Sequence, residues 1–250
     1  MIFVQDNSVQ SINAALNVIQ KNSIPAQTRI GRRFSSSATN KFSISVSGNA
    51  ISCYIPDFPE LVANVTTVKL ILPQLDTGSP TLNINGLGAK PIKAVRAGQL
   101  VDIVAHTGYW EGAGSTSQRV WDNNTTLELI YDGTNWVVVG NPVLCSYFAT
   151  DKSYSVYANG YIEQWDRFDA GSDVRDPQIS NYKFSIRYSD WTTLVANIMP
   201  IRSGAISSSA NCPMGAGIKG LHSYGIDYAL CYGLSANDKC RYLDITSWGY

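Results

Sequence analysis

Any Ser-His-Asp or histidine-held metal scheme in this chain would have to run through its two histidines, His106 and His222, and any thiolate chemistry through its five cysteines, Cys53, Cys145, Cys212, Cys231 and Cys240. A nucleophile needs an adjacent base, and a tetrahedral metal site needs imidazole or thiolate ligands at short spacing. The sequence holds no G-x-S-x-G, no H-E-x-x-H, no C-x-x-C and no histidine pair at ligand spacing. The cysteines are odd in number and widely spread, and read as reduced, mostly buried thiols. "GAGIKG" from Gly215 matches the dinucleotide glycine pattern, with Asp238 downstream. That pattern works only between a strand and a long helix, and "SSSANCPM" and "LHSYGIDYAL" supply neither, so it reads as a flexible glycine-rich loop between strands. The stretch "DRFDAGSDVRDP" offers Asp166, Asp169, Asp173 and Asp176 as oxygen ligands, yet not in calcium-loop order, and Arg167 and Arg175 supply counter-charge. It reads as a polar surface loop joining two strands. Glu163 and Asp166 are the first pair to test for glycoside cleavage, since carboxylate separation is a three-dimensional property. No enzyme activity, metal or cofactor is expected.

Aromatic residues are the stronger functional lead. Of the 14 tyrosines, 11 lie after residue 145, with three of the six tryptophans. Tyr and Trp present a large flat face and a polar tip, which suits glycan or protein recognition. Aromatics in hairpins also form cross-strand pairs and cores, so any one of them, such as Trp165 or Tyr161, has a packing role as its alternative. The candidate contacts are Trp165, Asp169, Asp173, Tyr188, Trp191 and Tyr224.

The elements that would carry these residues are mostly strands. "KFSISVSGN" alternates Phe42, Ile44 and Val46 against Ser43, Ser45 and Ser47 before a Gly48-Asn49 turn. "VKLILP", "TLNINGLG" and "LELIYDGTNWVVVG" continue the style, the last around Asp132-Gly133. "SYSVYANGYIEQW" is strand, turn, strand, with Asn159 and Gly160 expected at positive φ. "NYKFSIRYSDW" alternates again, and "DITSWGY" reads as a closing strand. The exception is "NSVQSINAALNVIQ", where Val9, Ile12, Leu16 and Ile19 form one stripe on a helix closed by Pro25. The same positions fill a and d of two heptads, with Ile at d and Leu at a, a choice that favours more than two strands. Residues 26 to 41 read as a linker carrying Arg29, Arg32 and Arg33.

Composition narrows the class. Lys+Arg and Asp+Glu are 19 each, and no basic patch suggests nucleic acid. Charged residues are only 15%, with Ser, Thr and Asn in their place and 20 glycines, which suits a sheet protein with many turns. "MIFVQDNSVQ" has no basic n-region, and no apolar run is long enough to span a bilayer, so neither a secretory signal nor membrane insertion is expected.

Two motifs carry a family likeness. "NGYIEQW" resembles the "NGYIEQWG" hairpin of the C-terminal domain of bacteriophage tail fibres, with Asp166 where glycine is usual, and the final "SWGY" resembles the aromatic ending of such domains. "TLNINGLGAKPI" is similar to the "TLNVNGLGAKPI" segment of phage tail and side-fibre shafts. The likeness spans roughly 60 to 165 and the last few residues; 167 to 240 carries no matching motif. It implies a virion protein, made in the host bacterial cytoplasm, that forms a homotrimer and recognises a bacterial surface glycan or protein with its C-terminal domain.

The expected architecture is mainly β: a helix and linker at 1–40, then two β-rich, sandwich-like domains at 41–145 and 146–250, assembled as an intertwined or side-by-side trimer. Residues 1–40, with Phe3, Arg29, Arg32 and Arg33, are expected to dock to another tail or virion protein, and the helix stripe to form a trimer stalk. The alternatives are a head-fibre, decoration or baseplate component without receptor binding, and a fibre that degrades polysaccharide.

Overall fold

A computed structural model of the protein describes residues 33–35, 42–56, 58, 60–110, 116–174, 178–202, 215–232 and 240–250. The expected helix with Val9, Ile12, Leu16 and Ile19, and the attachment residues Phe3, Arg29 and Arg32, lie outside them.

The described chain is mainly β and forms several sheets. The first strands are β1 (Arg33–Ser35), β2 (Ser43–Ser47), β3 (Ala50–Tyr54), β4 (Thr67–Leu72), β5 (Thr81–Ile84), β6 (Lys90–Arg96) and β7 (Gln99–Asp102). There follow β8 (His106–Gly108), β9 (Ser117–Arg119), β10 (Thr125–Tyr131) and β11 (Trp136–Val138). The rest of the chain adds β12 (Val143–Phe148), β13 (Lys152–Tyr157), β14 (Ile162–Val174), β15 (Gln178–Lys183), a 3-10 turn (Trp191–Thr193), β16 (Val195–Arg202), β17 (Gly215–His222), β18 (Gly225–Tyr232) and β19 (Cys240–Gly249).

Alternation in the sequence becomes alternation of burial. Ile51 and Cys53 point inward from β3, Val68, Leu70 and Leu72 from β4, and Leu127, Leu129 and Tyr131 from β10, while their neighbours are partly or fully exposed. Each such aliphatic side chain contributes about 1.5–3 kcal/mol by leaving water. Trp121 and Trp136 are fully buried among them. Cys53 and Cys145 are buried free thiols, and burial alone pushes the Cys53 thiol up to about 12.

Nine strands form one mixed sheet in the order β1-β4-β10-β11-β6-β5-β3-β2, with β7 on β6. The hairpins β2–β3 and β10–β11 are those the turn residues announce, β6–β7 is a third, and β1–β4, β6–β11 and β3–β5 pair in parallel. Beyond this sheet, β8 pairs with β9, β15-β18-β17 make three strands, and β12-β13-β14-β19-β16 make five. The final strand, β19, sits inside the five-stranded sheet between β14 and β16, in antiparallel register with both.

Four sequence expectations are corrected. Arg33 to Ser35, placed in a linker, form β1 and pair with Thr67 to Lys69; an edge strand needs backbone partners rather than apolar alternation. Residues 166–174, expected as a loop, extend β14 against β19, with an irregularity between Asp169 and Val174. "GAGIKG" is not a loop but the body of β17, paired from Gly215↔Tyr232 to His222↔Gly225. In the Asn159-Gly160 turn only Gly160 has positive φ, at 86°. The loop there is Ala158-Asn159-Gly160, closed by Gly160 N donating to Tyr157 O at 2.9 Å and Tyr157 N to Tyr161 O at 2.8 Å. A three-residue hairpin needs a single left-handed position, where the two-residue kind needs two.

Candidate functional site

The register of the five-stranded sheet lines up a set of side chains on its outer face. Ser153 on β13 pairs with Trp165 on β14, which pairs with Thr246 on β19; in the next row on that face, Ser155 pairs with Glu163, which pairs with Trp248. Because side chains alternate along each strand, these six share one surface. Trp165 and Trp248 are diagonal neighbours, a placement that separates backbone positions by about 7–8 Å, and Glu163 and Thr246 fill the opposite diagonal. With Tyr161 at one end, they border a groove of about 500 Å³, floored by Tyr154, Gln164 and Ser247.

The groove is held from its flanks. Arg167 chelates Asp244 through Nε and an Nη at 2.8 and 3.0 Å, and its guanidinium lies 5.3 Å from the Trp165 ring centre and 5.8 Å from that of Tyr242. A planar cation fixed by a two-point carboxylate contact supports the indole against rotation. Glu163 accepts a hydrogen bond from the Tyr157 hydroxyl at 3.1 Å. Tyr157, Tyr161 and the C-terminal Tyr250 then form a run of ring contacts 5.8 and 5.4 Å apart, capped by Arg96 at 4.9 Å from the Tyr250 ring.

The opposite face of the same strands is closed. Gln164 donates Nε2 to Ile186 O and accepts from Ile186 N, both at 2.7 Å, and so clamps the segment 182–188 beneath the sheet. Asp166 accepts from the Tyr182 hydroxyl and from Ser185 Oγ at 3.3 Å; burial raises its pKa above the ordinary carboxylate range. Glu163 and Asp166, the pair singled out for glycoside cleavage, therefore point to opposite sides of β14.

The other sequence candidates scatter. Asp169 is exposed on the outer face of β14, opposite Tyr242. Asp173 lies further along β14 and Trp191 opens the 3-10 turn. Tyr188 is only 4% exposed and donates its hydroxyl to Ser247 Oγ at 2.8 Å, which points it into the core. Tyr224 stands at the β17–β18 turn, 46% exposed. Arg33 begins β1. His106 is buried, and burial holds its imidazole down at about 4, so it is neutral at pH 7. His222 Nε2 lies 2.8 Å from Asp227 Oδ2 at the surface. Among the described residues no three His, Cys, Asp or Glu side chains are grouped to hold a metal, and no helix is long and apolar enough to cross a membrane.

Of the six candidate contacts only Trp165 lies in the groove, together with Glu163 of the carboxylate pair and Tyr161. Trp248, 37% exposed, is not among the sequence candidates, because its "SWGY" setting reads as a terminal strand; the alternation of "DITSWGY" is the signal that puts Thr246 and Trp248 on one face. No family model, no curated protein and no solved structure matches the chain.

Proposed function

We propose that this protein is a host-recognition adhesin of the phage tail-fibre kind, and that it binds a bacterial surface glycan in the groove on the outer face of β13, β14 and β19. The observation that carries this reading is the groove's composition: two partly exposed indoles on a diagonal, with serine and threonine hydroxyls and one carboxylate between them. The C–H face of a sugar ring stacks on an indole, and its hydroxyls exchange hydrogen bonds with Glu163, Ser155 and Thr246. A rigid sheet holds these groups in place before the ligand arrives, which lowers the entropy lost on binding. The function is binding rather than catalysis. In the same reading the sheets form two sandwich-like domains on an N-terminal helix, assembled as a homotrimer in the virion and attached through residues 1–40.

A structural virion component is the second reading. The observation in its favour is the apolar surface on the same sheet, where Phe148 is 87% and Met199 60% exposed, since such side chains suit burial against another protein.

The deciding experiment measures adhesion of the purified protein to susceptible bacteria and its ability to block infection. The native protein should do both. The Trp165→Ala/Trp248→Ala variant, with its circular dichroism unchanged, should lose adhesion by about tenfold or more, ~1.4 kcal/mol. A native protein that neither adheres nor blocks infection transfers the case to the structural reading.

A further inference from the structure

A second constellation lies away from the groove. The segment 182–188 is stapled to β8 on one side, where Tyr109 N donates to Ser185 O and Arg187 N to Thr107 O, both at 2.9 Å. On the other side it is stapled to the β17–β18 turn, where Phe184 N donates to Tyr224 O at 3.0 Å and Tyr188 N to Ser223 O at 2.9 Å. Between these segments is a crevice of about 50 Å³, with Tyr109, Thr116, Lys183, Ser185, Arg187 and Tyr224 in its wall. Lys183 and Arg187 are exposed, and neither makes an ion pair with a described residue. No carboxylate lines the crevice among the described residues. Asp227 on β18 is engaged by His222, whose ring stacks on Tyr224 with centres 5.1 Å apart and planes 3° apart. That stack fixes one wall.

We infer that this crevice is a second binding site, for a single oxyanion group carried on a polysaccharide. Two cations without acidic partners among the described residues supply charge-assisted hydrogen bonds, and the tyrosine and threonine hydroxyls can add neutral ones. The volume is that of one or two water molecules, which admits a carboxylate or a phosphate but no sugar ring. The ring carrying the anion rests outside, against Tyr109 and Tyr224. The chemistry differs from that of the sheet-face groove, where the flanking cation Arg167 is already chelated by Asp244. The inference does not depend on the groove binding anything.

The test is calorimetric titration of the full chain with a polyuronate oligosaccharide, a neutral oligosaccharide of equal length and inorganic phosphate. The polyuronate should bind with an affinity that falls as salt rises. Lys183→Ala/Arg187→Ala should weaken it at least tenfold, Lys183→Arg should retain it, and Trp165→Ala/Trp248→Ala should change it less than twofold. If phosphate binds with this residue dependence and the polyuronate does not, the anion is a phosphate ester rather than an acidic sugar. If neither anion binds, or if binding survives Lys183→Ala/Arg187→Ala, the inference is overturned.

Discussion

Asp166 shows how one position can be misread from its neighbours in sequence. It belongs to a run of acids, yet β14 turns it inward, where it is the acceptor for Tyr182 and Ser185 and is 9% exposed. Its native pKa is raised, so the folded state holds the proton more tightly than the unfolded chain does. The stability this gives is fully present below the unfolded carboxyl pKa and is lost as pH rises through the native value. Asp166→Asn keeps an acceptor and removes the buried charge. Its stability relative to the native protein should therefore increase between pH 4 and pH 8 in urea unfolding; a constant difference would mean that the carboxyl titrates normally. Asp166→Ala leaves the Tyr182 hydroxyl without its acceptor and should cost about 1–3 kcal/mol at pH 4, a cost that shrinks as pH rises.

At the scale of elements, two glycines separate backbone conformation from close packing. Gly160 has φ of 86° and no atom closer than 4.0 Å to where a Cβ would sit, so Gly160→Ala should cost only the left-handed penalty, about 1–2 kcal/mol. Gly108 has ordinary backbone angles, but a Cβ there would lie 2.5 Å from Ile186 Cδ1 and 2.7 Å from Ser185 O. Gly108→Ala should push β8 off the 182–188 segment, cost about 1–3 kcal/mol, and raise hydrogen exchange at Tyr109 and Arg187, whose N–H groups cross that gap. Gly160→Ala should leave those two amides unchanged. Such elements were legible in unequal measure. Strands with one buried face and marked turns, such as β2–β3 and β13–β14, are written in the period-2 pattern. The second partner of β14 and the pairing of β17 are not, because β19 joins β14 from some 80 residues away in one case, and in the other a glycine-rich strand has little side-chain pattern to show. The groove shares that fate: Trp165 could be chosen as an aromatic near a hairpin, but its pairing with Thr246 depends on a register that only the folded sheet defines.

The described residues share a continuous core, running from Ile51 and Leu70 through Trp110, which meets Tyr154 edge-on at 5.7 Å, to Leu243 and Ile245. Its outer surface is less self-sufficient. The five-stranded sheet ends in β12 and β16, and each carries a large exposed apolar side chain on the groove face, Phe148 on one and Met199 on the other. If the homotrimer of the proposed reading forms, a contact between these unlike ends is head-to-tail, which closes into a ring when the rotation allows and leaves the central indoles open to ligand. Phe148 contributes almost nothing to the core of its own chain, so in a monomer Phe148→Ser should shift stability by no more than about 0.5 kcal/mol. In a trimer the same change should lower the native mass measured by light scattering. The native protein's melting temperature should also fall on dilution, because folding is then linked to association. A monomeric mass with a melting temperature independent of concentration, and unmoved by Phe148→Ser, would remove the trimer from the proposal.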